Sequence, residues 1–379
     1  MTGSKPYDVA ITGGGLAGLS LAILSARSGY HTVLFEKEKY PFHRVCGEYI
    51  SRESWPFLEE LGLPLASMQL PLINRLQVTA PGGTVFETKL PLGGFGISRH
   101  RLDQELAQRA RAAGVELREE TRVQDIRFND GLFNLDTSAG RFQSRASAGA
   151  FGKRSNLDLK WKRPFAQAKA GPLHNYIGVK YHIRTRHPAD LIALHNFADG
   201  YCGISQVEDG ICCLCYLTSA ENLRRSGNSI AGMEARILQR NPHLRRIFSE
   251  AEFLWEQPVT ISQVSFAAKS QVEAHVLLLG DAAGMITPLC GNGMSMALHA
   301  GKLAHRFMHN FLQGTISREA MEQQYQQAWR QQFSKRLYTG RSIQSFFGHP
   351  TLTEILVRSF RSFPFLAQPL IRLTHGTPF

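Results

Sequence analysis

Three glycines near the start of the chain have the spacing of a phosphate-binding turn. Gly13, Gly15 and Gly18 follow the short apolar run of residues 8–11 and open a helix-like segment. At these positions glycine permits a tight turn, close approach of the backbone to a diphosphate, and close packing of the helix on the strand. The first N–H groups of such a helix favour negative charge. The pattern therefore predicts a dinucleotide site that includes Gly13, Gly15, Leu16, Ala17 and Gly18.

An acidic residue stands at the end of the next apolar run. Glu36 follows residues 32–35, and a carboxylate at that strand end accepts hydrogen bonds from a ribose hydroxyl. An acid, rather than an arginine, disfavours a ribose 2′-phosphate. We include the neighbouring Lys37 in the predicted site. A glycine-rich turn before an ordinary helix is the alternative, but strand, glycines, helix, strand and acid occur here in the expected order.

A second glycine-rich motif lies far down the chain. Asp281 follows Gly280 at the end of the apolar run 276–279, where its carboxylate can accept a hydrogen bond from a ribityl hydroxyl. The next loop opens a helix that we predict from Gly293 to about Leu312, so its N–H groups favour negative charge, such as that of a reduced flavin. The predicted flavin-binding residues of this loop are Pro288, Gly291, Asn292, Gly293 and Met294.

The composition is that of a soluble globular protein. Of 379 residues, 43% are hydrophobic and 20% are charged. No apolar run reaches the length of a membrane span, and the first residues lack the apolar region of a signal peptide, so we expect a cytoplasmic protein. The six cysteines lack the paired spacing of a metal site, and we predict no bound metal.

The net charge of +12 is concentrated at the C-terminal end. From residue 301 onward there are 10 Lys or Arg and 3 Asp or Glu. A solvated helical face is the simplest interpretation, and an acidic substrate or peripheral contact with an anionic membrane are alternatives. The aromatic residues of this segment either rest on such a membrane or, more commonly, pack on the body of the protein. No nucleic-acid-binding motif accompanies the charge, so nucleic acid is excluded as a partner.

The order of the elements predicts an α/β protein whose cofactor domain is discontinuous. Alternating strands between the two glycine motifs, with hairpin turns, predict an inserted α+β substrate domain built on an antiparallel sheet. We assign residues 1–72, 96–165 and 268–325 to the cofactor-binding domain. Residues 73–95 and 166–267 form the predicted substrate domain, and residues 326–379 a helical C-terminal segment.

These motifs, with Arg44-Val45-Cys46-Gly47-Glu48 and with Arg99 before Leu102-Asp103, resemble a known family. It is the superfamily of FAD-dependent oxidoreductases that includes p-hydroxybenzoate hydroxylase, the flavin halogenases and the geranylgeranyl reductases. The resemblance implies bound FAD and a Rossmann-like domain of the glutathione reductase type. It further implies that Arg99 reaches the FAD and that Val123 contacts the adenine through its backbone. The Cys-Gly-Glu loop is most similar to the reductase branch, and we include its Arg44 in the predicted site.

Two segments depart from the family patterns. Phe151-Gly152 stands where the hydroxylases usually carry Asp-Gly, which puts their way of handling NADPH in doubt. Residues 201–205, Tyr-Cys-Gly-Ile-Ser, replace the Tyr-x-Trp-x-Phe-Pro signature of the geranylgeranyl reductases. The halogenase motifs are not evident either.

Two chemistries stay open. In the first, narrowly favoured, the protein is a monooxygenase that hydroxylates an apolar or aromatic molecule, such as a phenolic or polyketide-like metabolite. NADH or NADPH would then be a transient electron donor, and Pro288 would shape the oxygen side. In the second, hydride passes from reduced flavin to a C=C bond of a lipophilic substrate, and Cys46, with Arg44 nearby, donates the proton.

The loop residues have simpler alternatives. Cys46 is either that proton donor or a small thiol packed in its loop, and Glu48 is either an acid facing the pocket or, more commonly, a loop anchor. A flavin-binding protein without enzymatic activity is disfavoured, because an inserted substrate sheet would have no purpose. The sequence leaves the oligomeric state open.

Overall fold

The computed structural model describes residues 5–167, 174–287, 291–346, 349–374 and 376–379. Its strands form two sheets. They are β1 (Tyr7–Thr12), β2 (Thr32–Phe35), β3 (Tyr49–Ser51), β4 (Leu72–Thr79), β5 (Val85–Gly96), β6 (Glu116–Arg118), β7 (Val123–Asn129), β8 (Leu132–Thr137), β9 (Gly140–Gly149), β10 (His174–Arg184), β11 (Leu191–Phe197), β12 (Gly200–Gln206), β13 (Cys212–Ser219), β14 (Glu252–Phe253), β15 (Val259–Ser265), β16 (Val272–Glu273) and β17 (Val276–Leu278).

Helices pack on the first sheet and on both faces of the second sheet, and they form the C-terminal part of the chain. They are α1 (Leu16–Arg27), α2 (Trp55–Glu60), α3 (Arg99–Ala112), α4 (Asn156–Lys160), α5 (Pro164–Gln167), α6 (Ala220–Arg225), α7 (Ile230–Arg236), α8 (Pro242–Glu250), α9 (Gly293–Leu312), α10 (Arg318–Phe346), α11 (Pro350–Ser362) and α12 (Ala367–Thr374). Within the described ranges, none of them has both the length and the apolarity to cross a bilayer.

The first sheet has the order β16-β17-β9-β1-β2-β6. From β17 to β6 all neighbours are parallel, and the antiparallel β7 and β8 extend the sheet beside β9. The central β1 is an apolar run whose last four residues are buried, as strands covered on both faces require. This arrangement confirms the predicted Rossmann-like cofactor domain.

Helices α1 and α9 pack against each other very closely on this sheet. A Cβ atom on Gly301 would lie 2.2 Å from Oγ of Ser20, so only glycine fits at this crossing. Further along, Oγ of Ser28 lies 2.9 Å from Nε2 of His305. Because residue numbers rise together along both helices, α1 and α9 run parallel, and their positive N-terminal ends lie at the same end of the domain.

The second sheet has the order β14-β10-β13-β12-β11-β4-β5-β3, with β15 beside β10. Most pairs are antiparallel, as predicted, but β4 and β11 pair in parallel, so the sheet is mixed. The assignment of residues 1–72 to the cofactor domain needs one correction. Within that range, β3 pairs with β5 and extends the second sheet, because the loop after β2 crosses over to it.

The two faces of the second sheet bury different clusters. One face, with Ile177, Val179 and Ile183 on β10, packs against α7 and α8. The opposite face, which we call the inner face, carries Tyr201, Leu217, Val264 and Phe266, and it packs against α11 and α12. Met285, from the segment after β17, joins the cluster of the inner face. The inner face therefore looks toward the cofactor domain.

The C-terminal helices attach to both domains. Oη of Tyr325, on α10, donates a hydrogen bond to the carbonyl oxygen of Leu278 at 2.6 Å. The α11 helix lies on the inner face, where the rings of Phe360 and Phe86 are 5.6 Å apart. At the chain end, the ring of Phe379 stacks on His299 at 4.1 Å. The segment thus packs on the body of the protein, one of the two arrangements that we expected.

Candidate functional site

The turn between β1 and α1 is a cradle that requires glycine at two of its positions, Gly13 and Gly18. Gly13 has φ of +103°, and a Cβ atom on Gly18 would lie 2.0 Å from the carbonyl oxygen of Gly13. Beside Gly15, by contrast, there is room: the nearest atom to an added Cβ is Nη2 of Arg99, at 3.9 Å. A diphosphate on the N–H groups of α1 would therefore have a guanidinium next to it.

A buried network of two acids and two arginines stands behind this turn. Oε2 of Glu36 accepts hydrogen bonds from N–H of Gly14 at 2.9 Å and from Nη2 of Arg44 at 3.0 Å. Asp103 bridges the two arginines, accepting from Nε of Arg44 at 3.0 Å and from Nε and Nη2 of Arg99 at 2.7 and 2.8 Å. The carboxylates thus fix both guanidinium groups at the start of α1.

Asp103 is a site residue to which the sequence assigned no role of its own. It is fully buried, between the two cations. Burial acts to lower the pKa of Arg99, but the Asp103 carboxylate outweighs that effect and the pKa is raised. The arginine is therefore a permanent cation. The signal for Asp103 is its spacing, because residues four apart on a helix face the same side.

The adenosine end of the predicted site is assembled by the segment before β7. N–H of Thr121 donates to the carbonyl oxygen of Glu36 at 2.9 Å, which brings the buried Val123 close to the end of β2. Lys37 lies beside Glu36, but its side chain is 57% exposed and its ammonium is 3.6 Å from the Glu38 carboxylate. That Val123 and Lys37 contact the cofactor stays a prediction.

The second glycine motif lies between the N-terminal ends of the two parallel helices. Gly280, with φ of +54°, fits between α1 and α9: an added Cβ would be 3.5 Å from the Cβ atoms of Ala17 and Ala297. Gly291, with φ of +66°, approaches the ring of Tyr49. Asn292 and Met294 are buried at the start of α9. Pro288 lies outside the described residues.

Asp281 sits among cations from three other segments. Burial raises the pKa of its carboxyl, and Lys269, Arg99 and Lys153 act against that rise. Nζ of Lys269 donates to the carbonyl oxygens of Asp281 and Lys153, both at 2.7 Å. Burial lowers the pKa of Lys269 to about 8. Neither lysine belongs to a recognisable motif, so sequence reasoning did not single them out. A cavity of about 260 Å³, lined by Lys269, Trp329 and Arg330, opens next to this cluster.

The loop that carries Cys46 docks on the inner face of the second sheet. A Cβ atom on Gly178 of β10 would lie 3.1 Å from Cγ1 of Val45. Sγ of Cys213 donates to the carbonyl oxygen of Cys46 at 3.2 Å. Cys46 is a free cysteine, and the residue as a whole is partly exposed. Its burial raises its pKa, although Arg99 and the N–H of Glu48 act to lower it. The thiol is therefore protonated at neutral pH.

Glu48 anchors this loop. It is fully buried with φ of +56°. Its carboxylate accepts a hydrogen bond from N–H of Arg99 at 2.7 Å, contacts Nζ of Lys180 and lies 2.6 Å from Nε2 of His182. Burial acts to raise the pKa of Glu48, but the Lys180 cation and the His182 hydrogen bond outweigh it and lower the pKa to about 2. Of the two interpretations of Glu48, the structure supports the anchor.

Aromatic rings surround the Glu48 cluster. The rings of His182 and Trp255 stack at 4.7 Å, the ring of His43 lies 4.4 Å from Trp255, and His43 in turn stacks on His100 at 4.6 Å. Burial and the nearby cation of Lys180 lower the pKa of His43 to about 4. A signal for part of this cluster exists in the sequence, because Lys180 and His182 alternate on one strand and so share a face.

The aromatic residues divide between the two faces of the second sheet. Phe86 and Tyr201 lie in the apolar cluster of the inner face. Tyr181 and Phe197 lie in the cluster of the opposite face, beneath α7 and α8, because β-strand side chains alternate between faces. Only the first pair lies on the face that looks toward the cofactor domain, and both side chains are buried there.

Comparison with known proteins agrees with this geometry. Residues 6–133 match a family of proteins described as FAD binding domain. They include the glycine cradle, the acidic network and the Cys46 loop. The chain is an FAD-dependent oxidoreductase. The expected FAD and the expected superfamily are thereby confirmed, whereas NADH or NADPH as electron donor stays a prediction.

Relatives of this oxidoreductase extend over most of its length. A digeranylgeranylglycerophospholipid reductase of Methanopyrus kandleri is 24% identical over 356 residues, covering 87% of this chain and 83% of the relative. A protein of Dictyostelium discoideum named conditioned medium factor receptor 1 is 22% identical over 368 residues, covering 90% of this chain and 70% of the relative.

Solved structures share the fold of the oxidoreductase. The flavin-dependent brominase Bmp2 superposes with a TM-score of 0.79 at 20% identity, covering 99% of this chain and 94% of Bmp2. A geranylgeranyl bacteriochlorophyll reductase-like protein of Thermoplasma acidophilum superposes with a TM-score of 0.76 at 17% identity, covering 98% of this chain and all of that structure. At these identities the likeness concerns the fold.

The residues of the site fit FAD. The open side of Gly15 beside the Arg99 guanidinium suits a diphosphate, and the convergent N-terminal ends of α1 and α9 suit two negatively charged parts of one molecule. Asp281, at the end of the strand between them, is placed for a hydroxyl group of the linking chain. The roles of the individual residues toward FAD stay predictions.

Proposed function

We propose that this oxidoreductase reduces a C=C bond of a lipophilic substrate. The observation that carries the proposal is the position and state of Cys46. Its protonated thiol, on a residue that is partly exposed, lies where the cofactor-domain loop meets the inner face of the second sheet. When bound and reduced, FAD supplies a hydride; the substrate then needs one proton to complete the reduction. The Cys46 thiol would give that proton and regain it from water.

The neighbouring residues prepare this thiol. Glu48 ties the loop to α3 and to β10 through bonds to Arg99, Lys180 and His182, so the position of Cys46 is fixed relative to both domains. Preorganisation of this kind lowers the cost of aligning donor and substrate. Burial keeps the proton on sulfur at neutral pH, as a general acid requires.

The substrate class follows from the inner face and from the relatives. Tyr201, Leu217 and Phe266 give that face an apolar character, which suits an isoprenoid or similar chain. Several relatives, including the one from Methanopyrus kandleri, are named digeranylgeranylglycerophospholipid reductases. The electrons would come from NADH, NADPH or a protein donor.

Hydroxylation, which the sequence alone narrowly favours, is the competing outcome. To separate the two, the protein is reduced with dithionite without air and mixed with digeranylgeranylglycerophospholipid. We expect the flavin absorbance to return under argon and the lipid to gain hydrogen by mass spectrometry. Reoxidation that needs oxygen, with a product heavier by an oxygen atom, would replace reduction by hydroxylation.

A further inference from the structure

The exposed apolar side chains of this protein are concentrated in one segment. Among the described residues, nine large hydrophobic side chains are strongly exposed, and six of them lie between residues 352 and 373. Scattered single exposed hydrophobics are ordinary, whereas a cluster marks an interaction surface. The six are Leu352, Ile355, Phe363, Phe365, Leu366 and Leu373.

The centre of this surface is the turn between α11 and α12. All six residues from Arg361 to Leu366 are exposed, and Phe363 and Phe365 are 54% and 68% exposed, with ring centroids 6.1 Å apart. Aromatic rings on a turn insert shallowly into an apolar phase at small conformational cost, because each has only two side-chain torsions. The four residues between the two helices, Phe363 to Leu366, carry no charge.

Cations frame the turn. Arg358 is 71% exposed, and Arg361 and Arg372 are also exposed, whereas the acidic residue of this surface, Glu354, is 24% exposed and paired with Arg358. Arginines around exposed aromatic and aliphatic side chains complement a surface that is anionic at its boundary and apolar below it. A lipid membrane has that layering.

The same segment seals the inner face of the second sheet. Val357 and Ala367 are buried there, and Phe360 contacts Phe86. Helices α11 and α12 therefore carry apolar side chains toward the inner face and, between the exposed arginines, toward solvent as well. An amphipathic helix that only packs on the body has a polar outer side.

We propose that the surface formed by residues 352–373 docks this protein on an anionic lipid membrane. We name residues 352–373 the docking surface. Docking through this surface places the bilayer against α11 and α12, which cover the inner face. A lipophilic substrate would then pass from the bilayer to the inner face along these helices. Membrane binding does not depend on the reaction. If the protein does not reduce a C=C bond, the docking proposal still stands, and if the protein does not bind vesicles, the proposed reduction still stands.

The test uses the full FAD-loaded protein and sedimentation with vesicles. We expect binding to vesicles of phosphatidylcholine mixed with phosphatidylglycerol, weaker binding to phosphatidylcholine alone, and a loss of binding as salt rises. The double substitution Phe363→Ser and Phe365→Ser should lower the partition coefficient at least about tenfold. Leu159→Ser, at a side chain that is 51% exposed elsewhere, is the matched control and should change nothing.

A charge variant separates insertion from attraction. Arg358→Gln with Arg361→Gln should weaken binding to the anionic vesicles only, whereas Arg141→Gln, at a side chain that is 85% exposed, should not. Equal losses in the control variants, or no sedimentation of the wild-type protein, would overturn the proposal. The proposal would also be overturned if the wild-type protein does not bind vesicles and the double phenylalanine variant has a lower oligomeric mass than the wild type. The surface would then be a contact between copies of this chain. An unchanged FAD absorbance and an unchanged melting temperature show that each variant is folded. If the double variant does not fold, the single variant Phe365→Ser is tested in its place.

Discussion

Nε2 of His182 on the second sheet lies 2.6 Å from Oε2 of Glu48 on the loop that carries Cys46. This contact, with that of Lys180 on the other carboxylate oxygen, joins the two domains through a fully buried acid. The loop is therefore positioned by the substrate sheet as much as by the cofactor domain. The position of Cys46 then depends on residues more than a hundred positions away in the chain.

Removing the Glu48 charge should destabilise the fold strongly. Glu48→Gln leaves the Lys180 ammonium, which has no exposed surface, without a counter-charge, and we expect the free energy of unfolding to fall by about 3–5 kcal/mol. Denaturant unfolding measures this. Adding Lys180→Met should restore part of the loss, because it removes the unpaired charge. Glu221→Gln, which breaks exposed ion pairs, should cost less than about 1 kcal/mol. Equal effects at Glu48 and Glu221 would contradict the anchor role.

The Arg99 guanidinium should contribute to FAD affinity. A charge-assisted hydrogen bond to a diphosphate contributes about 1.5–3 kcal/mol, so Arg99→Met should raise the dissociation constant for FAD at least about tenfold. Fluorescence titration of the apoprotein with FAD gives this constant. Arg111→Met, at a side chain on the same helix that is 41% exposed, is the control and should bind FAD normally. Unchanged affinity in the Arg99 variant would place the diphosphate elsewhere.

His195 should make the second sheet sensitive to acid. Burial, with His243 nearby, lowers the pKa of His195 to about 3 from an ordinary 6.5. Below about pH 6.5 the His195 side chain is protonated in the unfolded chain but stays neutral in the folded chain. The contribution of neutral His195 to the free energy of unfolding is therefore complete above about pH 6.5 and is lost as the pH falls toward 3. The slope of the unfolding free energy between pH 6.5 and 4 should flatten in His195→Gln and persist in a variant of the exposed His31. A slope equal to that of the wild type in His195→Gln would contradict this prediction.

The elements that the sequence predicts well are those with local causes. The glycine cradle follows from residues within one turn, and the predicted bounds of the helix from Gly293 to Leu312 agree with α9. The contacts of Glu48 could not be predicted, because Lys180 and His182 are 132 and 134 positions away. The parallel pairing of β4 with β11 was not predicted for the same reason, because a short hydrophobic run does not indicate which strand it pairs with. Tyr181 and Phe197 show that aromatic residues near a site cannot be assigned to a pocket until the faces of the sheet are known.

The most direct test of the proposed chemistry is a single turnover of Cys46→Ala under argon. The reduced, FAD-loaded variant is mixed with digeranylgeranylglycerophospholipid, and the return of flavin absorbance is followed. We predict that this return slows at least about a hundredfold, as loss of a general acid does, while FAD affinity is unchanged. Cys212→Ala, on the opposite face of the second sheet, should react at the wild-type rate. A Cys46→Ala rate equal to that of the wild type would contradict the assignment of Cys46 as the proton donor.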